Sequence, residues 1–140
     1  MPAPYEQFSL TPHHVGISVP DVEKSVEWYR EIFGFQEVKR LNIPSPGKIV
    51  FLKRGNFYIE LFEVREARPL PPERKLPDED LKTHGTKHLA IAVTNFPEVM
   101  RYLKQKGVDV VFEREIEGRP MAFIRDNAGN LIELVTPDAP

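Results

Sequence analysis

Over "HHVGISV" (residues 13–19) apolar and small or polar residues alternate, with Val15, Ile17 and Val19 on one side and His14, Gly16 and Ser18 on the other. A period of two predicts a strand with one buried face. The period changes after Asp21. Over "VEKSVEWYREIF" the apolar positions Val22, Val26, Tyr29 and Phe33 keep helical spacing. Asp21 stands where a helix needs a cap, and Gly34 follows the last apolar residue, where a helix can stop in the left-handed conformation. Three further runs, near residues 35–42, 48–54 and 57–63, read as strands separated by the turn sequences "PSPGK" and "RGN". The order is βαβββ.

The same order recurs downstream. "HVGISVPD" (14–21) aligns with "HLAIAVTN" (88–95) at an offset of 74, and "YIEL" (58–61) with "LIEL" (131–134) at an offset of 73. The second copy opens with a strand at 87–93. Asn95 is the expected cap of a helix carrying Phe96, Val99, Met100 and Leu103, and Gly107 follows its end. Strands near 109–116, 119–125 and 130–136 complete it, turned by "EGR" and "DNAGN". This is an α+β pattern: two tandem βαβββ modules, 12–63 and 87–136, in one domain spanning 12–136, with tails at 1–11 and 137–140. Between them, residues 64–86 hold Pro69, Pro71, Pro72 and Pro77, charges of both signs and no period. A connector of this length is expected to cross the outside of a sheet or to serve as a lid. Its Arg65, Arg68, Arg74 and Lys75 are available to an anionic substrate or to the connector's own acids.

Composition narrows the classes. A chain of 140 residues suits one domain. A net charge of −2 gives no basic field for nucleic acid. No apolar run approaches the roughly 18 residues of a membrane span. "MPAPYEQFSLTP" has neither the basic start nor the apolar stretch of a signal peptide. The absence of cysteine removes disulfides and thiolate ligands and suits a cytoplasmic protein.

One histidine on a strand is usually structural. Two at equivalent places of a duplication, His14 beside Gly16 and Ser18 and His88 beside Ala90 and Ala92, are a different matter. Glu60 and Glu133 also occupy equivalent places, each projecting on a strand face with apolar neighbours: Tyr58 and Phe62 for one, Leu131 and Val135 for the other. A carboxylate in such a setting must be paired, protonated or bound to a metal. Two neutral imidazoles and two carboxylates carry a charge that one divalent cation would cancel. His14, Glu60, His88 and Glu133 are therefore the expected ligands of one ion per site. A donor set without sulfur accepts Ni, Co, Zn, Mn or Fe. Phe51, Tyr58, Phe62, Met121 and Phe123 are candidates to line the site, and Arg119 to bind an anionic tail. Alternation turns His13 away from His14, and His84 has no assigned role.

These residues carry a resemblance. In "HHVGISVPDVEKSVEWYREIFGF", "YIELFE", "GTKHLAIAV" and "DNAGNLIELV" the chain resembles the vicinal oxygen chelate superfamily of glyoxalase I, methylmalonyl-CoA epimerase, extradiol dioxygenases and bleomycin-binding proteins, over about residues 12–136. The resemblance implies a mixed sheet curled into a cup around one metal, with the family's ligand positions at His14, Glu60, His88 and Glu133. An extradiol dioxygenase would use His14, His88 and Glu133 on Fe(II), without a ligand at the position of Glu60. The glutamate here is similar to bacterial glyoxalase I, and the epimerases usually carry glutamine there. Four protein ligands leave two positions on an octahedral ion, enough for two oxygens of one small-molecule substrate. That implies an isomerase or lyase moving a proton through a metal-bound enediolate, with Glu133 or Glu60 as the base. An Fe(II) dioxygenase and a metal-free binding protein of the antibiotic-resistance kind are the alternatives. The family takes its ligands from one chain or from two, and a symmetric homodimer is the expected assembly.

Overall fold

Two four-stranded mixed sheets, one from each module, make up the chain in a computed structural model that describes every residue except Pro46. The first module runs β1 (His14–Ser18), α1 (Val22–Phe33), β2 (Gln36–Asn42), β3 (Gly47–Arg54) and β4 (Phe57–Val64). The connector contains a 3-10 turn (Pro72–Lys75) and the short helix α2 (Pro77–Asp80). The second module runs β5 (Leu89–Ala92), α3 (Phe96–Gln105), β6 (Asp109–Ile116), β7 (Arg119–Arg125) and β8 (Leu131–Val135). Strand orders are β1-β4-β3-β2 and β5-β8-β7-β6; the first strand of each module pairs in parallel with the last, and the remaining pairs are antiparallel. The turn expected at 44–48 includes Pro46, which lies outside the described residues.

The duplication extends to irregularities. The β2–β3 register slips between Glu37 and Lys39, and the β6–β7 register slips between Val110 and Phe112, again 73 positions on. A bulge bends its strand and sharpens the local twist, so both sheets are bent at one equivalent place. Gly34 and Gly107 both end their helices with φ of 74°, a conformation a side chain resists. The helix starts differ. Asp21 caps α1 by accepting from the amides of Glu23 (3.1 Å) and Lys24 (3.2 Å). Asn95 occupies the equivalent position but sits at φ 56° and makes no side-chain capping bond.

Val15, Ile17 and Val19 turn into one core shared by the two modules. It joins Tyr29 and Ile32 of α1 and Leu52, Ile59 and Leu61 of the first sheet to Met100 and Leu103 of α3 and Ile124, Ile132 and Leu134 of the second. Polar bonds lock this contact. Tyr29, fully buried, donates its hydroxyl to Asp126 (2.8 Å) in the β7–β8 turn. Burial, and secondarily the charge of Asp126, pushes the Tyr29 hydroxyl well above the usual tyrosine range. Asp126 also accepts from the amides of Ala128 (2.8 Å) and Asn130 (2.9 Å), so one carboxylate folds the turn and ties it to the other module. In return Tyr102 of α3 donates to the carbonyl of Ile32 (2.8 Å) at the end of α1.

The connector is held rather than loose. Asp80 is 1% exposed, with Arg74 Nε 2.7 Å and Lys87 Nζ 3.2 Å from its Oδ1. Lys87 also donates to the carbonyls of Asp80 (2.7 Å) and Thr83. Arg74 donates to the carbonyl of Thr86 (3.2 Å). This clasp pins the chain immediately before His88.

Candidate metal centre

The face of β1 opposite the core carries His14, Gly16 and Ser18, all exposed. Parallel pairing sets Gly16 beside Glu60 on β4, and antiparallel pairing sets Phe51 of β3 on its other side. His14 Nε2 lies 3.2 Å from Glu60 Oε1, and the imidazole meets Phe51 edge-on at 5.9 Å between ring centres. The space expected above Gly16 is partly filled: a Cβ there would stand 3.2 Å from the ring of Phe62 and 3.9 Å from Glu60 Oε1. Glycine at 16 therefore lets Phe62 and Glu60 share one small area of the sheet.

The second module repeats the arrangement. Ala90 pairs with Glu133, and Phe123 lies on the other side of Glu133. His88 Nε2 is 2.7 Å from Glu133 Oε2 and meets Phe123 edge-on at 4.8 Å. Met121, Phe123 and Leu131 form a separate buried apolar cluster on this face, with Phe112 packed against it. Glu133 thus stands beside a low-polarity patch, as its flanking residues predict.

Each carboxylate has an imidazole as its only ionic partner among the described residues. In kind, the donors fit a divalent cation: imidazole nitrogen and carboxylate oxygen side by side, without a lysine or arginine to neutralise the acid. In number, each pair is half a cage. Among the described residues no three histidine, aspartate or glutamate side chains come close enough to hold one ion together. The four expected ligands stand in one chain as two equivalent pairs on two separate sheets.

The other expected residues divide. Phe51 and Phe123 touch the imidazoles, Phe62 overlies Gly16, and Met121 belongs to the cluster beside Glu133. Arg119 is engaged by the C-terminal tail, through Asp138 (Nε to Oδ2, 3.2 Å) and the carbonyl of Pro140. It still borders a small cavity of about 150 Å³ together with Met121 and Glu133. Arg74, a candidate for anionic substrate, is drawn into the Asp80 clasp. A larger cavity of about 450 Å³ lies between β1 and the start of β5, walled by Ser18, Lys87 and His88 and, from the connector, by Arg74 and His84. The connector therefore borders the second half-site. His13 departs from expectation. It precedes β1, so strand alternation does not govern it, and its Nδ1 lies 2.7 Å from Nδ1 of His14. The signal for this contact in the sequence is the adjacent "HH" itself.

Residues 11–134 match the sequence profile of the Glyoxalase/Bleomycin resistance protein/Dioxygenase superfamily, and the chain belongs to this superfamily. Among known proteins it is similar to human mitochondrial methylmalonyl-CoA epimerase, 32% identical over 128 residues, which covers 87% of this chain and 71% of the relative. A glyoxalase family protein from Enterococcus faecalis shares the fold with a TM-score of 0.73 at 24% identity, covering 92% of this chain and 98% of that one. The trypanothione-dependent glyoxalase I of Leishmania major shares it with a TM-score of 0.71 at 23% identity, covering 91% and 87%. Enzymes thus stand among the relatives. No helix of the described residues is long and apolar enough to cross a membrane.

Proposed function

We propose that this protein is a divalent-metal-dependent isomerase or lyase that moves a proton beside a carbonyl, and that its site forms between two copies of the chain. The observation that carries this reading is the pair of equivalent half-sites, each an imidazole and a carboxylate on an open sheet face. Joining the His14–Glu60 half of one copy to the His88–Glu133 half of another would give four ligands and a charge balance that one divalent ion completes. Such an ion supplies Lewis-acid stabilisation of charge developing on the substrate's oxygens. The protein's own work is the rest. Glu133, beside Met121, Phe123 and Leu131 and 2.7 Å from His88, takes the α-proton and returns it. Phe51 and Phe123 meet the imidazoles edge-on and restrict how the rings can turn.

For substrate, the likeness to the human epimerase favours a branched acyl-CoA thioester of the methylmalonyl-CoA kind. The test is an epimerisation assay with resolved methylmalonyl-CoA in D₂O, run under argon with the metal-loaded and the chelator-stripped protein, beside a hemithioacetal and a catechol. Loss of optical purity with deuterium at the α-carbon, dependent on added Co(II) or Ni(II) and independent of O₂, is the expected result. Turnover of the catechol with consumption of O₂ would replace this reading with a dioxygenase. Turnover of none of the three, by a protein that retains no metal, would replace it with a binding role.

A further inference from the structure

The two half-sites differ behind their histidines. His88 follows Lys87, whose ammonium is committed to Asp80 and two carbonyls, and among the described residues none forms a hydrogen bond to His88 Nδ1. His14 follows His13, whose Nδ1 stands 2.7 Å from His14 Nδ1. At that separation one nitrogen must carry a hydrogen and the other must accept it. His13 is itself fixed. Its ring stacks on Tyr58 with centres 4.9 Å apart and planes 10° from parallel, and Lys53 lies over the Tyr58 ring at 5.3 Å. Its carbonyl accepts from the Tyr58 amide (3.4 Å). Both nitrogens of His14 are therefore engaged, Nδ1 by His13 and Nε2 by Glu60.

We infer that His13 is a positioning residue for His14: it holds the ring so that Nε2 faces Glu60, and it offers the acceptor that lets His14 keep its hydrogen on Nδ1 while Nε2 binds an ion. The second role rests on the function proposed above; the first does not. Metal-ligating imidazoles are generally oriented through their other nitrogen, and loss of that partner weakens metal binding. Here the partner is a second imidazole. The hydrogen can sit on either Nδ1, so the same contact serves with Nε2 protonated towards Glu60 and with Nε2 bare. Among the described residues the second half-site has no equivalent contact.

Long-range ¹H–¹⁵N NMR of the histidine rings tests it, with and without Zn(II), on the whole protein and on His13→Phe and His13→Asn. Phenylalanine keeps the stack on Tyr58 and removes the hydrogen bond; asparagine restores a polar atom near the place of Nδ1. In the wild-type protein a scalar coupling should connect the two Nδ1 nitrogens. In His13→Phe the His14 nitrogens should shift while those of His88 do not, and Zn(II) affinity should fall by about 10- to 100-fold. His13→Asn should recover most of that loss. Absence of the coupling, together with His14 signals indifferent to both replacements, would overturn the positioning role even in a protein that binds zinc. If instead the coupling and shifts appear but wild-type protein binds no zinc, the positioning stands and the metal-dependent function falls.

Discussion

Glu133→Gln is expected to lower turnover by about 10²- to 10⁴-fold while leaving the metal bound, the range a positioned general base contributes. Glutamine keeps a carbonyl oxygen to ligate the ion and removes the basic carboxylate. The choice of Glu133 over Glu60 has a structural side. Glu133 adjoins the buried cluster of Met121, Phe123 and Leu131 and stands 2.7 Å from His88, against 3.2 Å between Glu60 and His14. Glu60→Gln keeps a ligating oxygen and leaves Glu133 unchanged, so it should cost far less turnover. Metal content by elemental analysis and α-deuterium exchange by NMR read the two variants together. The opposite ranking, with Glu60→Gln inactive and Glu133→Gln near wild type, would move the base to Glu60.

Asp80→Ala carries the largest expected loss of stability, about 3 kcal/mol. Asp80 is almost wholly buried, and its Oδ1 faces both Arg74 and Lys87. Removing one member of a buried ion cluster leaves the others charged and unpaired. Breaking a buried pair typically costs about 3–5 kcal/mol. Arg74 is exposed enough to turn to water, which places the value at the lower end. Lys87, only 16% exposed, keeps two carbonyl acceptors but loses its counter-charge. Urea titration should show a lower midpoint with an unchanged slope. A loss below about 1 kcal/mol would mean the clasp contributes little beyond packing. Because Lys87 precedes His88, the variant should also loosen the second half-site and leave the His14–Glu60 pair intact.

The modules, the parallel repeat of histidine and glutamate and the buried face of β1 were legible in the sequence because each rests on a local period. Val15, Ile17 and Val19 alternate, and their buried face is where alternation puts it. What escaped is what period does not encode. His13 lies one residue before β1, and its contact with His14 is a side-chain meeting of neighbours rather than a matter of strand faces. Asn95 satisfies the sequence rule for a cap but adopts a left-handed backbone and makes no side-chain capping bond. The connector looked structureless, since its order comes from one buried carboxylate meeting Arg74 and Lys87 at sequence separations of 6 and 7. Arg119 reads as a free cation until the tail returns to it through Asp138. The meeting of the two half-sites was beyond reach for another reason. A sequence shows which residues are equivalent by duplication but not whether one copy of the chain can bring them together.

Mixing two inactive variants tests that meeting most directly. His14→Ala disables the first half-site of its chain and His88→Ala the second. If each site joins halves of different chains, a mixed dimer holds one doubly damaged site and one intact site. Co-refolded in equal amounts, half of the dimers are mixed, so activity should return to about a quarter of wild type in a symmetric dimer. No recovery from a mixture shown by mass to contain mixed dimers would contradict the account, because each chain would then depend on its own two histidines.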